Sequence, residues 1–219
     1  MKNILKFSFY GLLVTVFACN KTTIVDTPEQ VGISKVAYYP SITINGPKFT
    51  TIVEGEAYDD PGATALLNGD TISYETSMTI TPSTPAGVYT INYTANSPDG
   101  SNSDQRIVVV VPVSVVNDPV IISHDYTGVY LRPLTGITST WTKLSTGVYT
   151  VENPGGSSGV DQLVVLTNYS GDNIQIPEQD SPYFGGVVSS TETTYNSGSF
   201  TYIFFAPGYG PGPRTFEKQ

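Results

Sequence analysis

Residues 87–113 read GVYTINYTANSPDGSNSDQRIVVVVPV, and the two halves of this stretch bury their apolar residues differently. In the first half Tyr89, Ile91, Tyr93 and Ala95 fall on one face, with Val88, Thr90, Asn92 and Thr94 on the other. That period of two belongs to a half-buried strand. The middle, SPDGSNS, is turn chemistry, with Pro98 pre-set in φ and Gly100 free to take positive φ. The second half is a continuous apolar run from Ile107 to Val111, suited to a strand covered on both faces, and Pro112 marks its end.

Working outward, VAYYPSITIN, KFTTIVEGEAY and YETSMTITP are three further strand candidates upstream. Short strands at near-regular spacing with turns between them imply a β-sandwich over residues 35–115. Within it, Glu54-Gly55, Tyr58, Asp60-Pro61-Gly62-Ala63, the Gly87–Ala95 strand, Asp99-Gly100 and Arg106-Ile107 form an ordered pattern. In this pattern the segment resembles the immunoglobulin-like domain of bacterial surface proteins. The resemblance implies a spacer or adhesion module and does not by itself assign an activity. Asp59-Asp60 and Asn68-Gly69-Asp70 offer oxygen donors of the kind calcium takes, but they lack the loop spacing of a calcium motif and also suit turns.

Downstream, NDPV reads as a short junction before a second unit at 118–219. DYTGVYLRP, WTKLSTGVYTVENPGGSSG, DQLVVLTNYSGDNIQIPEQ and GSFTYIFFAP are strand-like runs bounded by Gly, Pro, Asn or Ser. No helix of useful length is expected there. The expected fold class is therefore all-β: an N-terminal Ig-like sandwich plus a C-terminal antiparallel meander or small barrel. Phe200, Tyr202 and Phe204 alternate with Ile203 and Phe205, which suggests a strand apolar on both faces and central in its sheet.

At the other end, residues 1–18 carry Lys2 and Lys6 before an uncharged, mostly apolar run to Ala18, and Cys19 follows as the one cysteine in 219 residues. The run is short for a membrane span and fits the core of a signal peptide. Val16-Phe17-Ala18-Cys19 resembles the lipobox of bacterial lipoproteins. That resemblance implies cleavage before Cys19, a diacylglycerol on its thiol, and a membrane partner reached through the lipid. Residues 19–34 then read as a polar tether. The order of leader, Ig-like unit and β unit, with GVYLR and GVYTVENPGG in the latter, resembles surface lipoproteins of Bacteroides-type bacteria. It implies an outer-membrane, lipid-anchored place at the cell surface and, by association, glycan uptake.

The chain has 10 Lys+Arg against 19 Asp+Glu, a net charge of −9. Phosphate binding needs clustered cations, so nucleic acid is not an expected partner. The lone His124 cannot supply a zinc site by itself, and no metal or cofactor is expected. Glu178 and Asp180 form a candidate carboxylate pair for glycoside hydrolysis, and equally suit a solvated loop. No enzyme activity is expected. Sugar rings stack their C–H faces on aromatic side chains, so aromatics in loops or at strand edges are the candidate ligand contacts. They are Trp141, Tyr183, Phe184, Tyr195 and Tyr209. The leading expectation is capture of a polysaccharide or oligosaccharide. The alternative is an Ig-like spacer presenting a β unit that docks an envelope protein.

Overall fold

The computed structural model describes residues 30–31 and 34–219, with side chains from residue 36. The leader and Cys19 lie outside the described residues. Strands β1 (Gln30–Val31) and β2 (Ser34–Lys35) pair antiparallel in a first unit that ends at Ala37. Tyr38–Gln219 form a second compact unit, described by itself below.

This unit begins with the sandwich. Its strands are β3 (Ser41–Ile44), β4 (Phe49–Val53), β5 (Ala63–Leu67), β6 (Asp70–Ile72), β7 (Tyr74–Thr76), β8 (Gly87–Ser97) and β9 (Gly100–Val111). One sheet runs β3-β5-β6 and the other β4-β9-β8-β7, with β4 parallel to β9. Strands β5 and β6 form a hairpin. Leu67 pairs with Asp70 across Asn68 (φ 53°) and Gly69 (φ 93°). Positive φ at both central positions is what an Asn-Gly turn supplies, so these residues serve a hairpin.

The Asp60–Ala63 pattern and Arg106 also meet in space. Arg106, 0% exposed, places Nη1 2.6 Å from Asp60 Oδ1 and 3.1 Å from the Tyr58 hydroxyl. Tyr93 donates its hydroxyl to the same carboxylate at 2.7 Å, and the Gly62 amide donates to it at 3.0 Å. Arg106 Nη2 donates to the Asn45 carbonyl, tying β3 to the cluster. Gly62 sits at φ 70° under the Tyr74 hydroxyl, and a Cβ there would overlap that oxygen. The motif is thus a lock between the two sheets, and Asp60 is committed to it.

Strand β9 carries the next level of organisation. Val108 and Val110 face the sandwich core with Ile91, Tyr93 and Ala95. Ile107, Val109 and Val111 face the other way, into a cluster with Val115, Ile121, Val148 and Val165. The run is buried on both faces because one face belongs to the sandwich and the other to the C-terminal sheet. Fully burying a side chain of this kind contributes about 1.5–3 kcal/mol. Three of them approach the stability of a whole domain, about 5–15 kcal/mol.

Two short helices fill the corner: α1 (Val113–Val116) and α2 (Pro119–Ser123). The NDPV stretch, read as a junction, caps the second of them. Asp118 accepts from the Val120 amide at 2.8 Å and Pro119 takes the first helical position. Val115 and Ile121 point into the shared cluster.

The remaining strands are β10 (Gly128–Arg132), β11 (Ile137–Ser145), β12 (Val148–Glu152), β13 (Leu163–Ser170), β14 (Asn173–Gln175), β15 (Gln179–Ser181), β16 (Gly186–Ser190), β17 (Thr193–Thr194), β18 (Ser199–Phe205) and β19 (Pro213–Lys218). They form one antiparallel sheet in the order β15-β16-β18-β19-β10-β11-β12-β13-β14-β17, curled into a half-barrel. A side chain helps close the curl. The Gln179 amide accepts from the Val165 N–H and donates to the Val165 carbonyl, both at 2.8 Å, as a neighbouring strand would.

Rings fill the inside: Tyr126, Tyr130, Trp141, Tyr149, Phe200, Tyr202, Phe204 and Phe216. In β18, Phe200, Tyr202 and Phe204 point inward while Phe205 stays 45% exposed, so this strand is covered on one face rather than two. Burial raises the phenol of Tyr149 to about 12, and those of Tyr126, Tyr130 and Tyr202 rise further for the same reason. These hydroxyls work as neutral donors: Tyr130 donates to the Tyr126 carbonyl at 2.6 Å and Tyr202 to the Pro154 carbonyl.

Candidate functional site

The five aromatic candidates divide sharply. Trp141 is 1% exposed, its ring centred 4.7 Å from Tyr130 and 4.8 Å from Phe200, and its Nε1 donates to Ser139 Oγ. The alternation of β11 turns Ser139 and Trp141 inward, so the ring is core and offers no face to a ligand. Phe184 and Tyr209 lie 5.1 Å apart and both stand edge-on to Phe204, plugging one end of the curl. Tyr195 packs 4.3 Å from Tyr126, its hydroxyl 3.1 Å from that of Tyr130. Tyr183 alone of the five is exposed, at 49%, held by a hydrogen bond from its hydroxyl to the Gly159 carbonyl at 3.0 Å.

Tyr183 stands at the mouth of a cleft of about 230 Å³ where the sandwich meets the half-barrel. Lys48, Phe49, Gln105 and Ile107 come from β4, β9 and the residue before β4. Asp161, Gln162, Leu163, Asp180, Pro182 and Tyr183 form the opposite wall. The cleft borders the shared apolar wall, to which both Ile107 and Phe49 belong. An adjoining hollow of about 180 Å³ shares Asp180 and adds Thr90, Glu178 and Gln179. A wider depression of about 500 Å³ lies beside Arg132, Leu134 and Pro213, but it has no aromatic face among its lining residues.

Polar atoms in the cleft are only partly used. Gln162 is 8% exposed; its Nε2 donates to the Leu163 carbonyl at 2.7 Å, while its Oε1 accepts no hydrogen bond among the described residues. The Asp161 and Asp180 carboxylates form no ion pair with Lys48, the cation across the cleft. A half-exposed ring beside unpaired amide and carboxylate oxygens suits a ligand that presents a C–H face and several donors. Sequence reasoning missed Gln162, Asp161 and Gln105, because the cleft is lined from both the sandwich and the half-barrel, whose packing no local pattern reveals.

The remaining chemistry is dispersed. Glu178 and Asp180 are exposed on either side of buried Gln179, so they stand on one wall rather than on opposite sides of a bound sugar. His124 Nδ1 lies 2.8 Å from Asn168 Oδ1, and Nε2 lies 3.2 Å from Asp172. Gly155-Gly156-Ser157-Ser158-Gly159 does spell G-x-S-x-G, but it links β12 to β13 instead of opening a helix. His124 sits at the far end of that strand pair, beside Asn168. Among the described residues no group of three or more His, Cys, Asp or Glu side chains is placed to hold a metal.

Residues 42–110 match the family model described as the Ig-like domain of bacterial surface proteins, the segment in which the sequence showed the same resemblance. No curated protein matches the chain. Among solved structures, a lipoprotein from Bacteroides thetaiotaomicron is similar at 18% identity, covering 82% of this chain and 100% of its own, with a TM-score of 0.39.

Proposed function

We propose that this chain is a lipid-anchored protein of the bacterial cell envelope that captures an oligosaccharide in the cleft between the sandwich and the half-barrel, without catalysing a reaction on it. The observation that carries the reading is the half-exposed Tyr183 ring beside Gln105, Gln162, Asp161 and Asp180, on walls held by a common apolar core. The bacterial-surface domain supports a place at the envelope. A fixed cleft lowers the ordering cost of binding, so modest contacts suffice.

The test is a calorimetric titration of the purified protein against a panel of oligosaccharides. Loss of a stacking ring costs on the order of 1–2 kcal/mol, so Tyr183→Ala is expected to weaken the best ligand about ten-fold. Trp141→Phe, a change inside the core, is expected to leave affinity within about two-fold. No binding in a folded sample, or equal binding by Tyr183→Ala, sinks the reading. The alternative of docking an envelope protein is favoured by Val113, Val120 and Ile122, each about half exposed around α1 and α2.

A further inference from the structure

We propose that the depression beside Arg132 receives the carboxylate of an acidic sugar, a uronate, with Arg132 as its contact and buried Arg214 as a supporting charge. This site is separate from the cleft at Tyr183, so its failure leaves the capture reading where it stands.

Arg106 shows how the fold matches a guanidinium that it buries for structure: Asp60 lies 2.6 Å away. Arg132 and Arg214 are treated differently. Neither forms an ion pair among the described residues. Arg132 Nη1 donates to the Gly155 and Gly156 carbonyls, both at 3.3 Å. Arg214, 7% exposed, donates to the Gly212 carbonyl at 2.8 Å and more weakly to those of Gly210 and Phe204. Its guanidinium carbon lies 4.9 Å from the centre of the Tyr209 ring. Arg132 Nε, Arg214 Nε and the Tyr209 hydroxyl are all buried without a hydrogen-bond partner among the described residues. Buried donors normally find a partner, and an unmatched buried charge is costly. Burial, with the Arg132 charge next in weight, holds the Arg214 guanidinium below its usual range. An arriving anion supplies the counter-charge that the fold leaves out.

Arg132 is where this cluster meets solvent. It lines the depression of about 500 Å³ together with Pro133, Leu134, Pro213, Thr215 and Glu217. Its Nη2 has no hydrogen bond among the described residues and, unlike Nε, is not buried. A carboxylate there accepts a charge-assisted hydrogen bond. Pro133, Leu134 and Pro213 offer aliphatic surface to the C–H face of a sugar ring. Glu217, the carboxylate on this lining, is exposed and forms no ion pair with Arg132, so the guanidinium stays open. A neutral sugar gains only the aliphatic surface, and an amino sugar brings a like charge to Arg132. An inorganic anion meets Arg132 but gains nothing from the apolar side chains.

The experiment titrates the purified protein in about 0.15 M salt with trigalacturonate, its methyl ester and inorganic phosphate. The ester keeps the ring shape and removes the charge. Trigalacturonate is expected to bind about ten-fold more tightly than either of the others. Arg132→Gln is expected to bring acid and ester within about two-fold. Because that change also releases the loop at Gly155 and Gly156, Leu134→Glu is the second variant. Leu134 is 83% exposed, so the fold is kept while a like charge enters the depression. It is expected to weaken the acid about three-fold and leave the ester unchanged. Thr71→Glu, an equal charge on the exposed side of β6, is expected to change neither. Equal binding of acid and ester, no binding of the acid, or acid binding that survives both Arg132→Gln and Leu134→Glu overturns the inference. So does a Thr71→Glu effect as large as that of Leu134→Glu, which would make the preference one of net charge. Phosphate binding as tight as that of the acid overturns it too, leaving a general oxyanion site.

Discussion

Replacing Arg106 by Met, with Asp60 left in place, is expected to destabilise the protein by about 3–5 kcal/mol, read as a lowered midpoint in urea unfolding with unchanged slope. The size follows from what is stranded. Asp60 accepts from Arg106, Tyr93 and the Gly62 amide, and without the guanidinium it keeps its charge between two sheets with only neutral donors beside it. The Asn45 carbonyl also loses its Arg106 donor, loosening β3. Changing both partners together, Arg106→Met with Asp60→Asn, is expected to cost less than Arg106→Met alone, because no unpaired charge remains. A loss under 1 kcal/mol for Arg106→Met would mean that the lock is decorative.

Trp141→Ala is expected to cost a similar amount, about 3–5 kcal/mol, for a different reason: it opens a cavity among Tyr130, Phe200 and the surrounding rings. Its Ser139 hydrogen bond is a minor part of that cost. Thermal unfolding of the variant measures the loss. If Trp141 were instead a ligand platform, its removal would leave stability nearly intact and abolish binding. Trp141→Phe separates the two roles, since it keeps most of the packed volume and removes the indole face.

The stretch from Gly87 to Val113 gave a correct account of its own two strands, because period and turn chemistry are local properties. It also contained the key to the larger architecture. An apolar run from Ile107 to Val111 needs cover on both faces, and the C-terminal sheet supplies the second. Where the sequence misled, the cause was tertiary. Trp141 lies next to a turn-rich stretch, yet strand alternation turns it inward. Phe184 and Tyr209 sit in Gly/Pro loops but fold back against Phe204. The Asp118-Pro119 cap and the Asn68-Gly69 turn, by contrast, are local signals that the sequence carries on its face. Gln162 carried no sequence signal at all, since its burial and its unpaired oxygen arise only when two sheets meet.

The central claim is that sandwich and half-barrel form one folded body, which is what gives the cleft fixed walls. The most direct test follows urea unfolding of Arg106→Met with two reporters. Trp141, the one tryptophan in the chain, reports on the half-barrel, and hydrogen exchange at the Ile91 amide reports on the sandwich. The account predicts that a lesion in the sandwich lowers the Trp141 midpoint by the same amount as the Ile91 protection. A Trp141 transition that stays at its wild-type midpoint while Ile91 loses protection would contradict it, leaving two independent domains and a cleft with movable walls.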